Sequence, residues 1–155
     1  MSVEENKALA RSWFDFPGLE EWLQRRLGTA HGEKTKDERL RIAIAEIYAP
    51  DWVAHMPQGD IGFDSFVNQT IALIEAFSDM SFSVEGIIAE GDMVAVRYIM
   101  RGTHQGPYQG IPATGKSIEI GGINTARVSG GKFVEGWSGA DRLSLMQQLG
   151  LIPSK

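Results

Sequence analysis

Apolar residues recur at helical spacing through the first half of the chain, and at spacing two after Met80. "SVEENKALARSWF" reads as a helix, with Ser2 as its cap and Glu5 as the capping-box partner three residues on. Pro17-Gly18 interrupts the chain, "LEEWLQRRL" forms a second short helix, and "GTAHGEKTKDE" is a polar loop. "ERLRIAIAEIYA" is a third amphipathic segment, stopped by Pro50. In "FDSFVNQTIALIEAF", Phe63, Phe66, Val67, Ile71, Ile74 and Phe77 fall near helical spacing. Beyond Met80, Phe82, Val84 and Ile88 share one parity, "AEGD" is a turn signal, and Val94, Val96, Tyr98 and Met100 share the next parity, which His104 continues. "PYQGIPATGK" is a loop, and "SIEIGGINTARV" and "KFVEGWSGAD" are strands joined by "SGGK". "RLSLMQQLGLI" closes the chain as a turn or short helix. Helices followed by consecutive antiparallel strands predict an α+β fold, a curved sheet with helices over one face. No repeat or linker divides residues 1–155, so one domain is expected.

Composition removes several function classes. The net charge of −5 argues against nucleic acid and anionic membranes as partners, since both require clustered Lys and Arg. With no cysteine, thiol nucleophiles, disulfides and thiolate metal sites are excluded. "MSVEENKALARSW" has no apolar signal-peptide core, and no run approaches the ~20 apolar residues of a membrane span. A cytoplasmic location is the expectation.

Polar residues interrupt the apolar faces at three places. Asn124 lies on the face of Ile118, Ile120, Ala126 and Val128. Asp141 shares the parity of Phe133 and Trp137, and His104 ends the face of Tyr98 and Met100. Together they outline an apolar pocket with a few polar groups, the composition of a small-molecule site. A carboxylate there can act as general acid or base. Each residue also has a plainer reading. Asp141 precedes "RLSLMQQL" and fits an N-cap, His104 fits an exposed turn histidine, and Asn124 fits a satisfied core amide. Glu135 reads as solvated, and Trp13 and Trp22 as packing residues. His55, in "DWVAHMPQG", stands between a helix and a Pro- and Gly-containing loop. No Ser occupies a nucleophile-elbow pattern, "GTHQGPYQG" follows no strand-to-helix switch, and His31, His55 and His104 are too scattered for a helical zinc motif.

The strings "EGDMVAVR", "RGTHQG", "GIPATGK", "GGKFVEGW" and "LMQQLGLIP", in this order, resemble the SnoaL-like polyketide cyclases of the NTF2-like superfamily. "NKALARSWF" and "IYAPDWVAHMP" are similar to that family's first helix and to the segment before a later one, so the likeness covers residues 1 to about 15 and about 42 to 153. It implies a cone-shaped α+β barrel whose curved antiparallel sheet wraps a pocket closed by N-terminal helices. It also implies a homodimer and acid/base chemistry by an Asp on the last strand, without cofactor or metal. That role passes to Asp141, with His104 and Asn124 as further catalytic candidates and His55, Tyr98, Trp137 and Met100 as substrate contacts. The implied reaction is an aldol-type ring closure of a hydrophobic carbonyl compound. Hydrolase, isomerase or hydroxylase chemistry in the same pocket, or binding without turnover, are the alternatives. The chain departs from the family at Gly136, where "EGW" replaces the usual "EHW", and at Gly139 or Ala140, where a larger residue is common. The segment from Phe16 to Arg41 is longer than the family norm.

The opposite parity of the strands mixes Met93, Ala95, Ile99, Ile87 and Ala89 with Arg97, Arg101, Glu85 and Glu119. Apolar patches rimmed by charge mark interfaces, so a two-fold dimer through the outer sheet face is expected.

Overall fold

The computed structural model describes residues 2–153. Among them the chain forms α1 (Val3–Phe14), α2 (Leu19–Leu27), α3 (Lys36–Ile47), β1 (Tyr48–Met56), β2 (Gly59–Ile61), α4 (Phe63–Ala76), β3 (Ser81–Glu90), β4 (Met93–Thr103), β5 (Ser117–Ser129), β6 (Lys132–Trp137) and α5 (Arg142–Gln148). The strands build one curved sheet in the order β2-β1-β6-β5-β4-β3. Every pairing is antiparallel except that of β1 with β6, which run parallel. Helix α1 packs on β3 and β4, α3 on β1 and β6, α4 on β1, and α5 on β5. None of the described helices is long and apolar enough to cross a membrane.

The capping box expected at α1 is present: the Glu5 N–H donates to Ser2 Oγ at 3.1 Å, and the Ser2 N–H donates to the Glu5 carboxylate at 3.3 Å. A second box, Thr35 with Glu38, starts α3 two residues earlier than the hydrophobic pattern suggests. Pro50 does not end that helix. The chain is already extended at Tyr48, and Pro50 lies inside β1. It occupies the stretch between Tyr48 and Val53 where the pairing with β6 is irregular, so its missing N–H breaks no regular ladder.

The expected inner face of β4 is correct: Val94, Val96, Tyr98 and Met100 are all buried. Two β-bulges overturn the parity elsewhere. Val84 pairs with Tyr98 but Gly86 with Arg97, so Glu85 is an extra residue and the faces exchange beyond it. Ile87 and Ala89 therefore pack against the core, opposite Val96 and Val94, and Ile88 points outward at 75% exposure. On β6, Phe133 pairs with Val128 and Glu135 with Arg127, which makes Val134 the extra residue. Phe133 and Gly136 thus face inward, and Trp137, expected beside Phe133, takes the opposite parity at 37% exposure, although it still lines the cavity that the sheet encloses. The outer apolar set loses Ile87 and Ala89 and gains Ile88 and Ile123, the latter 54% exposed.

Candidate active site

Helices and inner sheet face enclose a cavity of about 840 Å³. Tyr48 is the hub of an aromatic wall, its ring centroid 5.2 Å from Trp13, 4.7 Å from Trp52 and 4.7 Å from Phe66. Tyr98 anchors a second group, 5.3 Å from both Phe14 and Phe82. Both Tyr48 and Tyr98 stay neutral at physiological pH. Burial pushes Tyr98 up to about 12, and burial followed by the neighbouring Tyr98 raises Tyr48 well above the ordinary phenol value. They can donate hydrogen bonds in the cavity but cannot serve as bases there.

The polar centre is Asn124. Its Oδ1 accepts from the Tyr98 hydroxyl at 3.3 Å, the Ser138 hydroxyl at 3.3 Å and the Gly139 N–H at 3.1 Å. With the carbonyl so engaged, its amide N–H groups are the part available to a ligand oxygen. Tyr98, Asn124 and Met100 all line the cavity, as the alternation on β4 and β5 requires.

The other candidates lie apart from this centre. His104 is fully buried, stacked on Phe77 at 5.3 Å, and does not line the cavity. Its Nδ1 accepts the Thr114 N–H at 3.2 Å and contacts Thr114 Oγ1 at 3.0 Å, which fastens the loop between β4 and β5. It is therefore neither an exposed turn residue nor a neighbour of Asn124. Asp141 lies beyond β6 and caps α5: its Oδ1 accepts the Ser144 N–H at 3.0 Å. The side chain is exposed and, against expectation, does not itself line the cavity, although Ala140 and Arg142 on either side of it do.

His55 stands on the outer side of β1, stacked on Trp137 at 5.1 Å. Its Nδ1 meets Asp60 at 2.8 Å and its Nε2 meets Glu135 at 2.7 Å. Glu135 in turn accepts from Arg127 Nε at 3.3 Å. Hydrogen bonds to Glu135 and then Asp60 raise the pKa of His55, while the bond from His55, with a further one from Arg127, lowers that of Glu135. A raised histidine pKa stabilises the fold below about pH 6.5 and loses that contribution as pH rises through the folded value. A lowered carboxylate contributes above its usual value and loses that as pH falls through the folded value. Melting temperature should consequently decline as pH rises from about 6.5 through the folded value of His55, and His55→Gln should remove the decline. Equal slopes for parent and variant would show that the cluster contributes nothing.

The SnoaL-like polyketide cyclase family model matches residues 36–149. The chain belongs to that family. A comparison with curated proteins gives no match. Among solved structures, IdmH, a proposed polyketide cyclase from Streptomyces antibioticus, is 31% identical over 70% of this chain and 86% of its own, with a TM-score of 0.63. AclR, a proposed hydroxylase from Streptomyces galilaeus, is 26% identical over 99% of this chain and 86% of its own, at 0.76. A SnoaL-like protein from Jannaschia sp. CCS1 has the same fold, with 21% identity, 97% and 95% coverage and a TM-score of 0.76. This SnoaL-like domain carries few side chains on the inner face of its last strand. Phe133 and Gly136 are the inward residues there, and Asp141 comes only after the strand has ended. The aromatic wall was not apparent from the sequence. Trp13 read as packing, Tyr48 read as the end of a helix, and Trp52 fell in the segment after it. Four-residue spacing of Tyr48 and Trp52 hides the strand. The clue was the Pro between them, which disfavours helix at Ala49.

Proposed function

We propose that the chain is a small-molecule enzyme that closes a ring in a hydrophobic carbonyl compound by acid/base chemistry, without a cofactor. The large aromatic cavity, with the hydrogen-bonded Asn124 on its wall, carries this reading. Flat unsaturated substrates stack well on such walls, and a shaped cavity brings two ends of a flexible molecule together. The Asp141 carboxylate takes a proton from a carbon flanked by two carbonyls. The enolate carbon forms a bond to a carbonyl carbon of the same molecule, whose π electrons become an alkoxide. The alkoxide recovers the proton from Asp141, so nothing is oxidised and the catalyst is regenerated. Asn124 hydrogen-bonds a substrate oxygen, and Tyr98 holds Asn124 in place.

Incubation of candidate dicarbonyl compounds in ¹⁸O-labelled water tests the reaction class. Ring closure without label from water in a new carbon–oxygen bond supports the proposal. A new labelled hydroxyl would instead favour the hydrolase or hydroxylase alternative, the latter being what AclR is proposed to be. The capping position of Asp141 favours a second reading, an apolar-ligand binder, which requires the ligand to emerge unchanged.

The active unit proposed is a dimer through the outer sheet face. Ile88, Ile123 and Trp137 are exposed there, and Arg101 and Glu119 already pair within one chain at 2.7 Å. Sedimentation equilibrium at micromolar concentration should give twice the 17.0 kDa chain mass, and Ile123→Lys should dissociate it. A monomer mass for the parent would defeat the dimer, and a dimer indifferent to Ile123→Lys would move the interface elsewhere.

A further inference from the structure

Gly136 sits under the outer edge of an indole. A Cβ placed on it would lie 2.3 Å from Trp52 Cη2, 3.1 Å from Cζ2 and 3.2 Å from Cζ3. The first is a distance that real Cβ atoms essentially never show, so any other residue at 136 must displace the ring. The neighbours on either side of Gly136 are also small. Ala54 of β1 and Ala126 of β5 are its register partners, and all three line the cavity. The edge of the indole thus meets the sheet at a place that has almost no side chains. Its other sides are closed by Tyr48 at 4.7 Å and Phe66 at 5.4 Å. The buried Trp52 Nε1–H has no hydrogen-bond partner among the described residues, so packing alone holds the ring. Trp52 lines the cavity, so a displaced ring changes the space within it.

We propose that Gly136 and Trp52 together set the width of the cavity and so determine which substrates it admits. This rests on the reading of the cavity as the substrate site. With Gly136 the edge of the indole reaches down to the sheet backbone, which leaves the cavity wide enough for a broad planar ligand. A side chain at 136 lifts the ring into the space the ligand needs. The pair is a specificity device and has no part in the chemical step.

The test is binding of anthraquinone, with three fused rings, and acetophenone, with one, followed by quenching of tryptophan fluorescence. Gly136→Ala should weaken anthraquinone by about tenfold or more and leave acetophenone within about threefold, because overpacking takes space only from the wider ligand. Gly136→Ala combined with Trp52→Phe should restore anthraquinone, since the shorter ring does not reach residue 136. Trp52→Phe alone, which folds without any demand at 136, should bind the four-ring tetracene-5,12-dione more tightly than the parent does. Equal loss of both ligands in Gly136→Ala, no loss of either, or failure of the double variant to recover would overturn the proposal. So would a parent and Trp52→Phe variant of equal affinity for the four-ring ketone. A parent that binds none of the probes would overturn instead the reading of the cavity as a substrate site.

Discussion

Asp141→Asn is expected to lower turnover by about 10²–10⁴-fold, the usual contribution of a general acid/base, and to leave stability almost unchanged. The two effects separate because Asp141 has two possible jobs. As the N-cap of α5 it needs only an oxygen that accepts the Ser144 N–H at 3.0 Å, and Asn caps as well as Asp does. As the acid/base it needs a group that gains and loses a proton, which an amide does not. Asp141→Ala removes both functions, so it should add a stability loss of about 1 kcal/mol to the lost turnover. The helix it caps is anchored to the core through Leu145 and Leu149, both buried, so a weakened cap is felt by the sheet. Initial rates and melting curves on the three proteins decide the matter. Turnover of Asp141→Asn within a few-fold of the parent would reduce Asp141 to its capping role.

The order of elements was legible in the chain because helical and alternating patterns differ and because Ser2–Glu5, "AEGD" and "SGGK" mark their ends. The facing of residues was legible only where alternation is uninterrupted, as on β4. Both bulges fall where two apolar residues are adjacent or nearly so. Ile87 and Ile88 offer either parity equally, and so do Phe133 and Val134. An inserted residue exchanges the faces without disturbing such a pattern. Trp137 was therefore assigned inward, and with it the expectation that Asp141 looks into the pocket. The cap was legible, since Asp before "RLSL" is a local signal. The aromatic wall was not, because Trp13, Tyr48, Trp52 and Phe66 come from α1, β1 and α4 and meet only when those elements pack together. His104 shows the same limit. Its continuing parity gave its direction but not its partners, Phe77 and Thr114, which come from a helix end and a loop.

Trp22→Ala should destabilise the fold by about 3–5 kcal/mol, the range for emptying a large aromatic site. Trp22 belongs to the segment from Phe16 to Arg41, most of which precedes the match to the family model at residue 36. A lid or flexible insertion would tolerate the change. The surroundings of Trp22 argue otherwise. It is 1% exposed, its indole N–H donates to the Ser12 carbonyl at 2.7 Å, and its ring meets Trp13 edge-on at 5.4 Å and Phe16 at 5.6 Å. Phe16 is itself bridged to Phe82 of β3 by paired backbone hydrogen bonds, which ties the segment to the far edge of the sheet. Because Trp13 lines the cavity, losing its support also loosens the substrate wall. A loss of this size is a large fraction of the ~5–15 kcal/mol that holds a typical domain together. Trp22→Phe keeps most of the buried area and loses the hydrogen bond, so it should cost markedly less, about 1–2 kcal/mol. In urea unfolding, Trp22→Ala should move the midpoint of a single transition at nearly constant slope, as expected if α2 melts with the sheet. A separate early transition for the variant, with the main midpoint unmoved, would mean that α2 folds as an appendage and that the wall of the cavity does not depend on it.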